Sequence, residues 1–443
     1  MRTSPRGPGP NGLVGAIHVV AAQRVPLGVG SAVAFLVVAA LVGYVAFRRP
    51  ALGIAALLVL DPFEWPHAIG PTDITLPKAA LIGVVIALIA RRVSLAPLRD
   101  SYTRPLIGGA CAIIIVTALT AIPATYIDAT AREVLKSIEY AVSFAVAALA
   151  IGSRDDEAVV RTSVVVAAGL VCLTALAQYV TGSPSGVVIG GHDMPRIAGA
   201  LEGPNQLAGY LGLAIPICLA SVLARERSYR ITAAVLVLAI VTDVLTLSRS
   251  GFLGLVVGIV LVLLLHGRRS PISTRVLAGG AALAAVLALG AARLGVLQRF
   301  FSVGEVARDN GLGTRSELWS AAVTLWKLDP ALGIGAGNFE LLTPRAGLIG
   351  IRTHANSLYL QSLAEGGLAL FFAVVWTIVS GIVLCLRDAP RSTLLLGIGA
   401  ATIGFAAHQI FDVLTFFPKV GGFWWLLLGA ASGRIYALRS ESA

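Results

Sequence analysis

The sequence predicts an all-α fold: a polytopic transmembrane helical bundle of about 12 to 13 spans. One long external loop is expected to carry a short amphipathic helix. Three observations lead there. Of 443 residues, 57% are hydrophobic and only 13% are charged, with a mean hydropathy of +0.86. A soluble chain of this length needs far more polar surface over its core. The apolar residues fall in blocks, and Gly251 to Leu265 and Leu277 to Ala292 hold no charge at all. Each approaches the length that crosses about 30 Å of hydrocarbon, where a backbone must satisfy its own hydrogen bonds. The connections between blocks also alternate in character. One set is short and basic: Arg48-Arg49, Arg91-Arg92 with Arg99 and Arg104, Arg154 with Arg161, Arg225 to Arg230, Arg268-Arg269, Arg387 with Arg391, and Arg434 with Arg439. Connections of that kind collect on the cytoplasmic side, which also accounts in bulk for the net charge of +11.

Taken in order, residues 1–26 read as a disordered or peripheral tail, rich in Pro, Gly and Arg over Met1 to Asn11 and without a signal-peptide pattern. Spans are expected at 27–47, 51–66, 74–90, 105–123, 132–151, 158–180, 206–223, 230–247, 251–266, 275–293, 365–386, 392–411 and 420–437. The chain thus divides into the tail, a transmembrane bundle over 27–293 with an external loop at 181–205, an external catalytic loop over 294–364, and C-terminal transmembrane helices with a short cytoplasmic tail over 365–443. Counting back from an inside C-terminus leaves the N-terminus open: either the first span crosses separately or the first two form an irregular hairpin. Cys111, Cys172, Cys218 and Cys385 all sit in apolar segments and read as small core residues.

The remaining connections are then external: 61–73, 124–131, 181–205, 248–250, 294–353 and 412–419. Trp65, Trp424 and Trp425 lie near the external ends of spans, as interfacial aromatics do. These connections should be poor in arginine, yet Arg196, Arg249, Arg299, Arg308, Arg315, Arg345 and Arg352 fall in them. Topology signals do not explain external arginines. Solvated loop charge explains any one of them about as well as an anionic ligand does, but guanidinium forks suit phosphate oxygens. The bland explanation is weakest for Arg249, which has almost no loop to carry it away from hydrocarbon.

Three local patterns sharpen the loops. Pro204 and Asn205 stand at the start of a span, where Asn is a good N-cap. Thr314 to Glu317 fits the S/T-x-x-E capping box, and Leu318, Ala321, Ala322, Leu325 and Trp326 then form one apolar face of a helix that could lie on the bilayer or on the bundle. Arg315 would sit in its first turn, where an anion would relieve the unfavourable dipole. Gly333, Gly335 and Gly337 permit a tight turn rather than a dinucleotide fingerprint, since no strand precedes them. If helical from His354, then His354, Leu358, Gln361 and Glu365 share one face. A polar stripe entering the membrane needs a partner or a cavity, and His exchanges a proton near neutral pH, although a lone interfacial His is more often idle. His408, before Phe411-Asp412, is a second and weaker candidate.

Together these stretches resemble the O-antigen ligase and O-antigen polymerase family, whose members move glycans from a polyprenyl pyrophosphate carrier to an acceptor. The resemblance runs in order over about residues 190 to 412: Arg196 to Gly199, Pro204 to Ala208, Leu247 to Gly251, Arg315 with Trp319, then Pro330, Gly333 to Gly335 and Phe339, and finally His354 to Gln361 with Glu365-Gly366. There is a departure. The family often carries His directly before Asn in a His-Asn-x-Tyr-Leu-Gln run, and aligned on Tyr359 that His falls on Asn356 and that Asn on Ser357. Other members carry the His two positions earlier, which matches His354. The resemblance implies that Arg196, Arg249 and Arg315 grip the pyrophosphate and that His354 is the general base, with Asn205, Trp319, Asn356, Tyr359, Gln361 and Glu365 in support. It implies inversion at the sugar and no metal or other cofactor. The implied partners are a polyprenyl-pyrophosphate-linked glycan, a glycan, lipid or protein acceptor and membrane lipids, with no nucleic acid. The implied place is the outer face of the cytoplasmic membrane. A polymerase of lipid-linked repeats would use the same chemistry. A non-catalytic flippase should instead carry many charges deep in its spans, where this chain has few besides Glu139 and Asp243.

Overall fold

The computed structural model describes residues 27–69, 72–182, 185–189, 192–268, 270–272, 274, 278–282, 285 and 312–441. The expected tail 1–26, most of the expected span 275–293, Arg299 and Arg308 lie outside them, while Thr314 falls within a helix that begins at Leu312 and so is not the N-cap that the expected capping box requires. In chain order the helices are α1 (Val29–Arg48), α2 (Pro50–Leu60), α3 (Leu76–Ala90), α4 (Ala96–Arg99), α5 (Arg104–Leu119), α6 (Ile127–Ala150), α7 (Arg154–Thr181), α8 (Pro204–Leu223), α9 (Tyr229–Leu245), α10 (Arg249–Gly267), α11 (Leu312–Trp326), α12 (Phe339–Leu342), α13 (Leu358–Asp388), α14 (Thr393–His408) and α15 (Pro418–Ser440). Two small antiparallel hairpins interrupt them: β1 (His67–Ile69) with β2 (Thr72–Ile74), and β3 (Ser185–Ile189) with β4 (His192–Arg196). The chain is an all-α multi-pass membrane protein. Among the described residues α1, α7, α8, α10 and α13 are long and apolar enough to cross a bilayer, and α2, α3, α5 and α14 are shorter apolar helices.

The basic connections meet at one end of the bundle. Arg49 pairs with Asp156 at 3.4 Å, Arg161 with Glu226 at 3.0 Å and Arg439 with Asp388 at 3.2 Å. Arg434 is more than a topology signal. It is completely buried, donating to Glu157 Oε2 at 3.0 Å and to the Gly152 carbonyl at 3.0 Å. The second oxygen of Glu157 accepts from Arg161 and from the Leu394 N–H. Buried charge is tolerated only when its lone pairs and protons are used in this way, and the network ties α7, α14 and α15 together.

The segments read as external meet at the opposite end. Lys419, at the start of α15, donates to the Ala200 carbonyl at 2.8 Å and lies 3.5 Å from Glu202 and 3.9 Å from Glu64. Arg196 reaches the carbonyl of Thr246, and Asn338 reaches Tyr126. We call this the loop end.

The first two expected spans form a hairpin with Arg49 as its single connecting residue. Pro50 stands at the first position of α2, where its missing N–H costs nothing. At 11 residues α2 is only about 16 Å long, so the expected span 51–66 ends early, at Leu60. Two other readings are corrected. Trp424 and Trp425 are core residues: Trp424 donates to Thr402, and Trp425 meets Phe144 edge-on. Cys111 is exposed on α5, whereas Cys172, Cys218 and Cys385 are buried.

α13 begins at Leu358, with Ser357 capping it, and is broken at Gly367 (φ 60°, ψ −160°). A Cβ at that position would lie 2.3 Å from the Ala331 carbonyl carbon, so only glycine fits. The break is filled by loop backbone. Leu368 N–H donates to Pro330, while Ile334 and Gly335 N–H groups donate to the Ala364 and Glu365 carbonyls. Irregular backbone among membrane helices survives because protein groups satisfy it.

Candidate functional site

The loop end is organised by a second, small hydrophobic core. Leu318, Ala321, Ala322 and Leu325 of α11 are buried against Ile334, Phe339, Leu342, Ala355 and Ala364. The apolar face therefore packs on protein rather than on the bilayer. Trp326 is only partly covered, and its indole N–H donates to the Pro330 carbonyl at 3.2 Å. Gly333, Gly335 and Gly337 all have positive φ, and a Cβ on Gly335 would lie 2.6 Å from that of Ala124. This turn drives Asn338, fully buried, against the start of α6. Its Oδ1 accepts the Tyr126 N–H at 2.8 Å, and its Nδ2 donates to Thr130 Oγ1 at 3.1 Å.

His354 does not begin a helix. Asn356 adopts φ 49°, a left-handed conformation that Asn tolerates, and this turn breaks the helical phase ahead of the Ser357 cap. His354 therefore does not share a face with Leu358, Gln361 and Glu365. Gln361 and Glu365 do share one: Gln361 Nε2 donates to Glu365 Oε1 at 3.0 Å, and both are buried. Gln361 Oε1 accepts the N–H of Ala355 at 2.8 Å, and Glu365 Oε1 accepts the N–H of Phe339 at 3.1 Å. Tyr359 donates to the Ala406 carbonyl, tying α13 to α14.

The ring of His354 packs against Phe416 at a tilt of 52°, with centroids 3.9 Å apart, and meets Phe417 edge-on. Its Nδ1 lies 2.9 Å from Glu340 Oε1, off the axis of an ideal hydrogen bond. Burial pushes the Glu340 carboxyl up, but His354, Lys136 and Arg352 outweigh it and hold the acid below the usual carboxylate range. Lys136 sits over the other neighbour, with Nζ 4.2 Å from the Phe416 centroid, and pairs with Glu133 at 2.7 Å. Phe416 also forms part of the wall of a cavity of about 120 Å³. Glu133, Lys136, Gln361 and Glu365 line its polar part, and Ile113, Leu370, Val374 and Ile378 its apolar part.

The arginines gather on the other side of this segment. Arg249 opens α10 directly after Ser248, whose hydroxyl accepts the Gly251 N–H. Arg315 lies in the first turn of α11, partly buried, within electrostatic reach of Asp412 and Arg249. Burial lowers its pKa, Asp412 opposes that and Arg249 adds to it. Asp412 is 4% exposed, its Oδ2 4.0 Å from His408 Nε2. Arg196 donates to the Thr246 carbonyl at 2.8 Å, beside the turn that leads to Arg249, and to Asn205 Oδ1 at 3.0 Å. Asn205 is thus not the N-cap: Gly203 holds that position and Pro204 takes the first turn. The Asn205 side chain is left to hold the arginine. Trp319 bridges the two sides, donating to the Asn356 carbonyl at 3.4 Å with its ring 5.9 Å from Phe411.

Residues 234–375 match the family model described as O-antigen ligase. The match supports assigning the chain to the O-antigen ligase and polymerase family. No curated protein matches the chain. The matched stretch contains Arg249, Arg315, Trp319, His354, Asn356, Tyr359, Gln361 and Glu365, and leaves Arg196, Asn205 and Asp412 outside. Sequence reasoning missed Glu340, Lys136 and Phe416. Asp412 was visible beside His408 as an acid in an external connection, but no spacing rule points to Glu340.

Proposed function

We propose that this protein is an O-antigen ligase-like glycosyltransferase. It moves a glycan from a polyprenyl pyrophosphate carrier to an acceptor hydroxyl on the outer face of the cytoplasmic membrane. The observation that carries this reading is that Arg249 and Arg315, from the starts of two different helices, come within electrostatic reach of one another at the loop end. Two like charges at helix N-termini are unfavourable unless an anion joins them. With Arg196 included and Asp412 subtracted, the formal charge is +2, from three arginines and one aspartate. That balances a pyrophosphate diester carrying one charge on each phosphate.

In the reaction, His354 accepts the proton of the acceptor hydroxyl. The hydroxyl oxygen forms its bond to the anomeric carbon as the bond to pyrophosphate breaks. The carrier leaves with the electron pair, and its growing charge is met by guanidinium groups already in place. Single displacement inverts the sugar centre, and the arginines stand where a divalent ion would otherwise neutralise charge.

The test is incubation of the purified protein with a polyprenyl-pyrophosphate glycan and candidate acceptors, followed by product mass, with and without chelator. One glycan joined to the acceptor is the expected product, and it persists in chelator. A ladder of repeats identifies a polymerase instead. No product, with carrier moved between leaflets of a vesicle, identifies a flippase. Full transfer by His354→Ala would remove the general-base assignment.

A further inference from the structure

We propose that Glu340 is a positioning residue for His354: it holds the ring so that Nδ1–H faces the carboxylate and Nε2 is presented to the acceptor hydroxyl. This rests on the reading of His354 as the general base.

Three independent features converge on the pair. The first is contact, Nδ1 to Oε1 at 2.9 Å. Off-axis contacts of this kind tighten when substrate packs a site. The second is confinement. Phe416 covers one face of the ring at 3.9 Å and Phe417 meets it edge-on at 5.5 Å, so rotation about the ring axis is restricted and Nε2 is the remaining edge. The third is backbone registration. The buried Gln361–Glu365 pair accepts the N–H of Ala355 and the N–H of Phe339. Those residues are the direct chain neighbours of His354 and Glu340. One rigid pair on α13 therefore fixes both strands of chain that carry the contact. Glu340 itself comes from α12, a single turn anchored by the buried Phe339 and Leu342.

A carboxylate in this place does two things. It selects the tautomer, because a neutral imidazole that donates from Nδ1 has its lone pair on Nε2. It also stabilises the imidazolium formed when the ring takes the proton. The charged groups that face Glu340 are His354, Lys136 from α6 and Arg352 from the chain just before His354. His354 first, and then the two cations, hold the acid below the usual carboxylate range, so it acts as a fixed charge and not as a proton carrier. It stays unprotonated through the cycle, and the proton remains on Nε2 until it passes to water.

The experiment uses the full chain in lipid nanodiscs. Transfer by Glu340→Gln, Glu340→Asp and His354→Ala is measured across pH, with kcat and KM resolved for the carrier. In parallel, ¹⁵N-histidine spectra are recorded, with His354 assigned by its loss in His354→Ala. Glu340→Gln should lower kcat by about 10- to 100-fold, the usual effect of losing a histidine's orienting partner. KM for the carrier should stay within about twofold, since uniform binding is untouched. The acidic limb of the kcat profile should move to lower pH, and the His354 signal should lose its Nδ1–H character. Glu340→Asp should recover part of kcat. If Glu340→Gln keeps the wild-type limb and ring signal, the positioning role is wrong, whatever its activity. If His354→Ala keeps full transfer, the base assignment fails first, and that outcome is read separately from the ring signal.

Discussion

Arg315→Ala tests the proposed phosphate site most directly. The side chain is partly buried and within electrostatic reach of Asp412 and Arg249. Removing a donor aimed at developing negative charge costs about 3 kcal/mol, which is about 150-fold in rate. Arg315→Lys keeps a point charge but loses the fork, and should fall by about tenfold. There is a second effect to separate. Asp412 is 4% exposed, and removing Arg315 takes a favourable charge from the surroundings of a buried carboxylate. Arg315→Ala should therefore melt lower as well. The double variant Arg315→Ala with Asp412→Asn restores a neutral pair, and Asn keeps the backbone carbonyl that accepts the Leu358 N–H. It should recover thermal stability in detergent without recovering transfer. The assay is single-turnover transfer at saturating carrier beside a melting curve. If the double variant regains transfer along with stability, Arg315 only balances Asp412 and does not act on the pyrophosphate.

Two further expectations concern the scaffold. Asn338→Ala removes the acceptor of the Tyr126 N–H and the donor to Thr130, at about 2 kcal/mol; protease should then cut the loop faster, and an unchanged digestion pattern would count against this anchor. Glu64, at the loop end beyond α2, is pushed up by burial, with Lys419 opposing, from 4.5 to about 7. A raised carboxylate contributes stability that is present below its unfolded pKa and lost as pH rises through the folded one, so the wild type should lose about 2 to 3 kcal/mol between pH 4.5 and 7. Glu64→Gln should flatten that part of a melting-temperature series, and an unaltered slope would assign the loss to other groups.

The bundle was legible because hydrophobic blocks and basic connections are properties of short windows. The same holds for the buried face of α11 and for the glycine turn before Asn338, each set by a local period or a local backbone need. What escaped was set by distant chain. Arg434 looked like a charge at a cytoplasmic end until Glu157 was found beside it. Trp424 and Trp425 looked interfacial because burial by neighbouring helices leaves no mark on their own segment. His354 was expected on a helical face with Leu358, but Asn356 turns the chain first. Its contact with Glu340 joins residues on either side of a loop whose closure no spacing announces. The arginines stood out for the opposite reason: they broke a local rule, and Arg196 proved to be held by Asn205, a residue better known for capping.

The break in α13 at Gly367 has a mechanical consequence. The chain from Pro330 to Gly335 supplies acceptors and donors to the broken helix, so loop and helix share one set of backbone hydrogen bonds. Lifting the loop would strip polar groups among membrane helices of their partners, which costs several kcal/mol for each group. The loop cannot swing as an independent lid. In amide exchange, residues 330–335 and 364–369 should open together as one cooperative unit.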